Sequence, residues 1–387
     1  MPTRSVQGFF YNEPDYYPPI VNATRLLCAA GYEVELFCRE AGGPRGVQYP
    51  EQARIVRVDG RSRGSWAEFL GFLRRSLWQA RPDAGCFWGH DMHGFLAARL
   101  AAWRHRRPLV YHCHDYAQAQ LMTRGSQLVH AFERRFARTA NTVVMPDADR
   151  AGIMARDLQL AHSPVIVANA PLLRPLVRRG VLRAALAEGG HQFSRIVFRQ
   201  GRIGPGHGLE VTLRSLHAWQ GQDWGFVIIG ISDADYVASL HRLAAALGVA
   251  QRFVVLPAVP YDRILDYTAD ADVGHALYER FHVNNVHIGT SSNKVMEYLA
   301  SGVPVLAPVD RKLQALVESA QCGTVADETK PADIARAINE LLADPARHAR
   351  MGQAARAAFE SEYCYDRQFV PVLDRLRALT SGHQTAS

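Results

Sequence analysis

Short apolar runs recur along the chain and alternate with longer segments in which apolar residues have a helical spacing. In the first half the runs are YEVELFC (32–38), AGCFW (84–88), PLVYH (108–112), NTVVM (141–145) and PVIVA (164–168). In the second half they are RIVFRQG (195–201), GFVIIG (225–230), RFVVLP (252–257), ADVGHAL (271–277) and VPVLAP (303–308). Strands that alternate with helices form parallel sheets covered on both faces. The pattern therefore predicts an α/β protein.

The two sets of strands are separated by a segment rich in turn residues. Pro175, Gly189 and Gly190 mark a junction near 171–194. We predict two doubly wound, Rossmann-like domains over 1–175 and 190–362, and a final helix within 363–387 that packs back on the N-terminal domain. If the two domains face each other, a cleft forms at the carboxyl ends of both sheets, where ligands of such folds bind.

The composition is that of a soluble globular protein: 387 residues, 48% hydrophobic and 21% charged. No apolar run is long enough for a transmembrane helix, and the start of the sequence has no apolar core of signal-peptide type. The six cysteines lack CxxC spacing, which favours buried thiols in a reducing compartment over disulfides or a zinc site. We therefore predict a cytoplasmic location.

Basic residues are concentrated in the first half of the chain. Residues 1–190 hold 25 Lys and Arg against 16 Asp and Glu, whereas residues 191–387 hold 19 against 21. This asymmetry is consistent with an anionic partner or a membrane surface for the N-terminal domain, or simply with an arginine-rich composition.

The segment 63–81 has the pattern of a basic amphipathic helix. One face is expected to carry Trp66, Phe69, Leu70, Leu73 and Leu77. Arg74, Arg75 and Arg81 lie elsewhere. Such a helix either covers its own sheet, which we favour, or rests on an anionic membrane.

The stretch TSSNKVMEYLASGVPVLAP (290–308) holds a charged pair inside an αβ unit. Its first residues favour a helix N-cap, Gly302 ends the helix, and an apolar strand follows. Small residues at a helix N-terminus leave backbone N–H groups free for an anion such as phosphate. Lys294 and Glu297 either belong to that ligand site or form a surface i, i+3 pair.

Six segments, in order, resemble the retaining glycosyltransferases of the family-4 type, which have the GT-B fold of two facing Rossmann-like domains. They are ARLAAWRHRRPLVYHCHDY, VVMPDADRAGIM with VIVANAP, RQGRIGPGHGLEVTLRSL, GFVIIG, VVLPAVPYDRILDYTADADVGHALYE and SNKVMEYLASGVPVLA. The resemblance implies a sugar transfer from a nucleoside diphosphate donor to an acceptor hydroxyl with retention.

The resemblance also implies how the donor diphosphate is held. Arg202 is expected on the phosphates, because a guanidinium offers two parallel donors. The family usually has a lysine five residues later, where this chain has His207. Lys294 is expected to supply part of the missing positive charge or to pair with an acid.

Glu297 is similar to the family glutamate that binds the donor ribose, and Ser292 and Asn293 are expected to supply amides that face the phosphates. A second family glutamate is replaced by Gly289. The chain instead resembles a sub-pattern formed by Tyr278, Glu279, Asn285, Asn293, Lys294 and Glu297. Sugar contacts normally made by the missing glutamate are therefore expected to differ.

Histidines follow two strands of the first half. His114 resembles the family histidine next to the transferred sugar, and His90 with Asp91 is expected on the acceptor side. His112, His114 and Asp115 also have the spacing of a metal cluster, as in amidohydrolases. That class needs further ligands at later strand ends, and we see no such series.

The leading hypothesis is a retaining hexosyltransferase in which His114, Arg202 and Lys294 are catalytic. It is expected to need no metal and no cofactor, to use a small-molecule, glycan or lipid-linked acceptor, and to bind no nucleic acid. The alternatives are a nucleotide-sugar epimerase of the same fold, a dehydrogenase, and a catalytically silent sugar-nucleotide-binding subunit. GRIGPGHG lacks the dehydrogenase pattern of GxGxxG followed by an acid after the next strand.

Overall fold

The computed structural model describes residues 4–40, 46–58, 66–116, 123–221, 223–279 and 283–381. The chain forms two compact units. Unit 1 contains Met1–Asn169 and Tyr365–Ser387, and unit 2 contains Ala170–Cys364. In the described ranges, no helix combines the length and the apolarity needed to cross a bilayer.

Unit 1 is built on a seven-stranded sheet with the strand order β3-β2-β1-β4-β5-β6-β7, and all neighbouring strands are parallel. The strands are β1 (Ser5–Phe10), β2 (Glu33–Arg39), β3 (Ala53–Val58), β4 (Cys86–His90), β5 (Leu109–His112), β6 (Thr142–Met145) and β7 (Val165–Ile166). The helices are α1 (Pro18–Ala29), α2 (Trp66–Trp78), α3 (Asp91–His105), α4 (Arg124–Phe136) and α5 (Ala148–Asp157).

Unit 2 is built on a six-stranded parallel sheet with the order β10-β9-β8-β11-β12-β13. The strands are β8 (Arg195–Gln200), β9 (Trp224–Gly230), β10 (Phe253–Pro257), β11 (Val273–His275), β12 (Val305–Pro308) and β13 (Gly323–Ala326). The helices are α6 (Val181–Glu188), α7 (Leu209–Ser215), α8 (Ala234–Ala246), α9 (Tyr261–Thr268), α10 (Val283–Val286), α11 (Asn293–Ala300), α12 (Arg311–Ala320), α13 (Pro331–Leu342) and α14 (Pro345–Ala358).

The last helix, α15 (Tyr365–Ser381), returns to unit 1 and supplies part of its core. Phe369 is fully buried and stacks on Trp88 of β4 at a centroid distance of 6.1 Å. The Tyr365 hydroxyl donates to the Pro19 carbonyl of α1 at 3.0 Å. Unit 1 therefore combines two segments that are far apart in the sequence.

The predicted α/β class is confirmed, and the ten predicted apolar runs correspond to strands β2, β4–β12. The patterning missed β1, β3 and β13. Strand β1 is central and fully buried, but Ser5, Gln7 and Gly8 interrupt its apolar run. Burial of Gln7 is tolerated because its amide donates to the Gln79 carbonyl and accepts from the Arg81 N–H.

The predicted apolar face of the 63–81 helix was partly wrong. Residues 59–65 lie outside the described residues, and α2 buries Phe69 and Phe72. Leu70, which was expected inside, is 55% exposed. The buried face of α2 is rotated relative to the predicted face, and it includes Phe72 and Ser76 in place of Leu70.

A close approach of two glycines fixes the loop that follows β8. Gly201 donates to the Ile229 carbonyl at 3.0 Å, and Ile203 donates to the Ile231 carbonyl at 2.9 Å. A Cβ on Gly230 would lie 1.6 Å from the Gly201 carbonyl oxygen. Only glycine at 230 therefore lets β9 reach this loop.

We expect Gly230→Ala to lower the free energy of unfolding by about 1–3 kcal/mol or more, because the added methyl meets backbone that cannot rotate away. Denaturant titration followed by far-ultraviolet circular dichroism measures the effect. The matched control is Gly204→Ala in the same loop, where an added Cβ meets no atom within 4 Å. Equal effects of the two substitutions would contradict the close-approach argument.

Candidate functional site

The start of α11 lies beside the segment that follows β11. Ser292 is the N-cap residue, and its hydroxyl accepts from the Val295 N–H at 3.4 Å. The same hydroxyl is 2.8 Å from the Tyr278 hydroxyl. The helix therefore begins where the sequence predicted it, and Asn293 is its first residue.

Lys294 points at Tyr278 rather than at Glu297. Its Nζ donates to the Tyr278 hydroxyl at 2.8 Å and lies 4.6 Å from the centre of the ring. Burial lowers the pKa of Lys294, and the neighbouring phenol opposes that shift. Burial alone would raise the pKa of Tyr278, but Lys294 and Arg199 together hold it below its ordinary value.

Arg199 is a buried cation that sequence reasoning missed. It lies in β8 with 1% of its surface exposed, and its Nη1 donates to the Leu277 carbonyl at 3.1 Å and contacts His275 Nδ1 at 3.0 Å. Its Nε and Nη2 have no hydrogen-bond partner, and it forms no ion pair, within the part of the chain that the structure describes. Its Cζ lies 5.5 Å from the Tyr278 ring centre. The sequence feature that could have identified Arg199 is an arginine inside the apolar run RIVFRQG.

Glu297 is buried, so the surface-pair alternative for this residue is excluded. Only 5% of Glu297 is exposed, and its carboxylate accepts from Gln200 Nε2 at 3.0 Å. Burial raises the pKa of Glu297, while Gln200 and Lys294 act in the opposite direction. The Glu297 carboxylate, a hydrogen-bond acceptor, is thus held in place at the carboxyl end of β8, near the start of α11.

The loop between β8 and α7 carries Arg202 and His207. Arg202 is exposed, whereas His207 is partly buried and its ring packs edge-on to Tyr278 at 6.1 Å. The Glu279 N–H donates to the Gly206 carbonyl at 3.0 Å, which ties this loop to the segment after β11. Burial, together with the charges of Arg199 and Lys294, lowers the pKa of His207 to about 2.

The low pKa changes the expectation for His207. An unperturbed imidazole titrates near neutrality, so a histidine at the position of the family lysine would ordinarily be partly charged. In the folded protein the ring is neutral at pH 7, because two neighbouring cations and burial both disfavour the imidazolium. A bound diphosphate would raise this pKa, starting from about 2.

In unit 1, parallel register brings three histidines to one edge of the sheet. His90 and His112 end neighbouring strands and are paired partners, and His114 follows two residues later. His90 Nδ1 lies 3.0 Å from His114 Nε2, and the rings of His112 and His114 are 4.0 Å apart at their centres. Burial lowers the pKa of all three, that of His114 to about 3. They are neutral imidazoles at pH 7.

Asp91 holds the backbone beside these rings. It has a positive φ of 49° at the start of α3, and its carboxylate accepts from the His114 N–H at 2.8 Å. Burial and the charge of Asp115 raise the pKa of Asp91 to about 7. Asp115 itself is exposed, and its carboxylate lies 3.6 Å from Arg150 Nη1. The spacing of the sequence suggested a cluster of His112, His114 and Asp115. The cluster found in the structure consists of His112, His114 and His90.

Two family models match consecutive parts of the chain. A glycosyl transferase 4-like domain matches residues 20–170, and the glycosyl transferases group 1 family matches residues 187–358. Together they cover most of the chain in the order that the sequence analysis predicted. The chain belongs to the family-4-type glycosyltransferases.

Curated relatives of this glycosyltransferase act on mannosyl and inositol substrates. It is 32% identical over 157 residues to the GDP-mannose-dependent alpha-(1-6)-phosphatidylinositol monomannoside mannosyltransferase of Mycolicibacterium smegmatis, a match that spans 40% of each chain. It is 27% identical over 390 aligned positions to the D-inositol 3-phosphate glycosyltransferase of Streptomyces scabiei, over 88% of this chain and 81% of that one.

Solved glycosyltransferase structures share the fold over nearly the whole length. Sucrose-phosphate synthase from Thermosynechococcus elongatus has a TM-score of 0.73 at 16% identity and covers 98% of this chain and 99% of its own. HepE from Anabaena, in complex with UDP and glucose, has a TM-score of 0.72 at 16% identity and covers 97% and 99%. These likenesses confirm the predicted GT-B fold class.

Lys294 and Tyr278 form a pair whose coupling is measurable. We expect Tyr278→Phe to lower the free energy of unfolding by about 1–3 kcal/mol, because it leaves a buried ammonium without its hydroxyl acceptor. With Lys294→Met already present, the same change should matter much less. Chemical denaturation of the two single variants and the double variant gives the coupling energy.

The control cycle replaces Tyr278→Phe with Tyr32→Phe in unit 1, which also loses a hydroxyl contact, 3.4 Å from Thr380. Tyr32→Phe and Lys294→Met should add within about 0.5 kcal/mol. Additivity of the Tyr278 cycle as well would contradict the assigned contact.

Proposed function

We propose that this glycosyltransferase moves a hexose from a nucleoside diphosphate donor to an acceptor hydroxyl with retention, and that unit 2 holds the donor. The observation that carries the proposal is the buried Arg199 guanidinium beside Lys294. Glu297 acts on Lys294 electrostatically without forming an ion pair with it, and Arg199 forms no ion pair with any described residue. Two buried cations with so little counter-charge favour an anionic ligand. A diphosphate supplies that charge and also reaches the N–H groups at the start of α11.

The remaining donor contacts follow from the chemistry of a nucleotide sugar. Arg202, exposed at the loop, is available for a bidentate contact with a phosphate oxygen pair. His207 serves as a neutral polar group toward the diphosphate. Glu297 accepts from the ribose hydroxyls, and Glu279, whose backbone is tied to the Gly206 carbonyl, is a candidate for the sugar.

In the proposed reaction the bond from the anomeric carbon to the diphosphate oxygen breaks, and the diphosphate leaves with the electron pair. The acceptor oxygen forms the new bond on the same face, and its proton passes to the departing phosphate. Arg199, Arg202 and Lys294 stabilise the negative charge that develops. Because these cations supply the charge that a divalent ion would otherwise contribute, we propose transfer without a metal or cofactor.

We propose that unit 1 binds the acceptor. Its neutral imidazoles can exchange hydrogen bonds with hydroxyl groups, with His114 assigned to the transferred sugar and His90 with Asp91 to the acceptor. The excess of basic residues in the first half suits a phosphorylated or lipid-linked acceptor, in line with the inositol substrates named for the relatives. We propose a mannose-type hexose, a cytoplasmic location, in line with six free buried cysteines, and no nucleic-acid partner.

Two other functions of the same fold are distinguished by incubation with the donor. An epimerase converts the donor without an acceptor, and a silent subunit binds the donor and converts nothing. Transfer products that require an acceptor, followed by mass spectrometry and by the anomeric configuration in NMR, support the proposed function.

Glu297→Gln should weaken donor binding about tenfold or more and leave the fold intact. The substitution keeps the size and an acceptor for Gln200 but removes the charge, and hydrogen bonds to a charged group contribute roughly 1.5–3 kcal/mol. Titration calorimetry with GDP, UDP, GDP-mannose and UDP-glucose measures the change.

The matched control is Glu340→Gln, which removes a carboxylate that pairs with Arg336 on the surface of α13. It should leave nucleotide affinity unchanged. If Glu297→Gln binds the preferred nucleotide as tightly as the parent, the ribose assignment is wrong.

We also propose that unit 1 contacts membranes through the outward side of α2. The outer ridge, spaced by four residues, consists of Trp66, Leu70, Arg74 and Trp78, with exposed fractions of 44%, 55% and 86% for its three apolar members. Aromatic and aliphatic side chains beside arginine are typical of helices that lie in an anionic interface. This ridge is the observation that favours membrane contact over a helix that only covers its sheet.

Co-sedimentation with phosphatidylglycerol vesicles should be strong at low salt and weaker at high salt. Combining Trp78→Ser with Leu70→Ser should abolish it, because these side chains supply the apolar contact. The control is Trp103→Ser on α3, also an exposed tryptophan at 71%. If this control loses binding equally, or if the parent does not sediment at low salt, the ridge is not the contact surface.

A further inference from the structure

The ring nitrogens of three buried histidines in unit 1 lie close together. The ligating ring atoms of His90, His112 and His114 all lie within 4.8 Å of one another. Within the described part of the chain, neither ring nitrogen of His112 has a hydrogen-bond partner, and His114 Nδ1 also has none. Three buried nitrogen positions are therefore unsatisfied inside one cluster.

Such burial is unfavourable unless something binds these atoms. A buried polar group without a hydrogen-bond partner lowers the stability of the folded state. The surroundings offer rings instead of acceptors: Trp88 packs 6.1 Å from His90 and 6.2 Å from His112, and Phe10 packs edge-on to His90 at 5.9 Å. An apolar residue at position 112 would avoid this unfavourable burial. The presence of an imidazole there therefore points to a ligand that accepts its lone pair.

We propose that His90, His112 and His114 form a binding site for a divalent transition-metal ion of the Zn²⁺ type. Three imidazoles with a fourth position open are a common zinc arrangement, with metal–nitrogen distances of about 2.0–2.1 Å. Tetrahedral ligands then lie about 3.4 Å apart, so the rings need to move by little more than 1 Å. Imidazole favours Zn²⁺, Co²⁺ and Cu²⁺ over Mg²⁺ and Ca²⁺, which prefer oxygen ligands.

Metal binding replaces the contact between His90 Nδ1 and His114 Nε2, which are 3.0 Å apart. A metal ion bound to His114 takes up the lone pair of its ring, so this side chain can no longer accept a hydrogen bond from a sugar hydroxyl. This consequence rests on the proposed function: the ion is an inhibitor of transfer and not a cofactor. Zn²⁺ should inhibit sugar transfer, whereas Mg²⁺ at the same concentration should not.

The binding test does not depend on activity. Untagged, metal-free protein is titrated with Zn²⁺ by calorimetry and with Co²⁺ by visible absorption, and we expect one ion per chain with the d–d bands of a tetrahedral nitrogen site. His112→Leu should weaken Zn²⁺ binding by at least ~100-fold, because one of three ligands is lost. It should also fold, because no hydrogen bond made by His112 is lost.

The matched control is His162→Gln, which removes an exposed histidine of unit 1 outside the cluster. It should bind Zn²⁺ like the parent. If His112→Leu unfolds, His90→Gln provides the second variant, since a glutamine side chain is close to an imidazole in size and remains polar.

Absence of stoichiometric binding, equal affinity in the parent and His112→Leu, or a thiolate-to-cobalt charge-transfer band from the cysteines would each overturn the site. Binding without inhibition by Zn²⁺ would retain the metal site and contradict the role of His114 in transfer. Failure of every donor to give a product would contradict the proposed function and leave the binding result decisive on its own.

Discussion

Two buried cations contact the Tyr278 ring, and the candidate site of unit 2 is organised around it. Lys294 approaches its hydroxyl from α11 and Arg199 faces the ring from β8. The hydroxyl also meets Ser292, the N-cap of α11. One phenol thus connects a strand, a helix start and a loop, and the group that accepts the Lys294 hydrogen bond is a hydroxyl rather than a carboxylate. In the function that we propose, a diphosphate supplies the anion that this arrangement lacks.

Unit 1 differs from unit 2 in its electrostatics, because the side chains at its strand ends are mostly neutral. Its strand ends present imidazoles that burial keeps neutral, and burial raises the pKa of Asp91 beside them to about 7, so this carboxyl is only partly ionised at neutral pH. A neutral polar edge suits hydroxyl groups, whose hydrogen bonds need direction more than charge. The same neutrality makes the three rings good ligands for a metal. Both properties arise because parallel register places His90 and His112 side by side.

The sequence predicted the sheets well because buried parallel strands are continuous apolar runs. It missed β1, where Gln7 is buried through contacts with residues more than seventy positions away. The same limit applies at the site. Ser292, Lys294 and Glu297 could be found because they share one local motif, but Arg199 becomes important only when β11 lies beside β8. Nothing in the local pattern indicates that Lys294 turns to a phenol instead of Glu297.

The return of α15 to unit 1 has a consequence for biosynthesis. Unit 2 is one continuous segment, so all of its strands have been synthesised before α15 is made. Unit 1 must wait with Trp88 and the Pro19 carbonyl of α1 uncovered until Phe369 and Tyr365 arrive. The newly made chain therefore exposes an apolar face on its earlier half while the later half is already folding. Apolar surface that stays exposed in this way is prone to aggregation until the last helix is made.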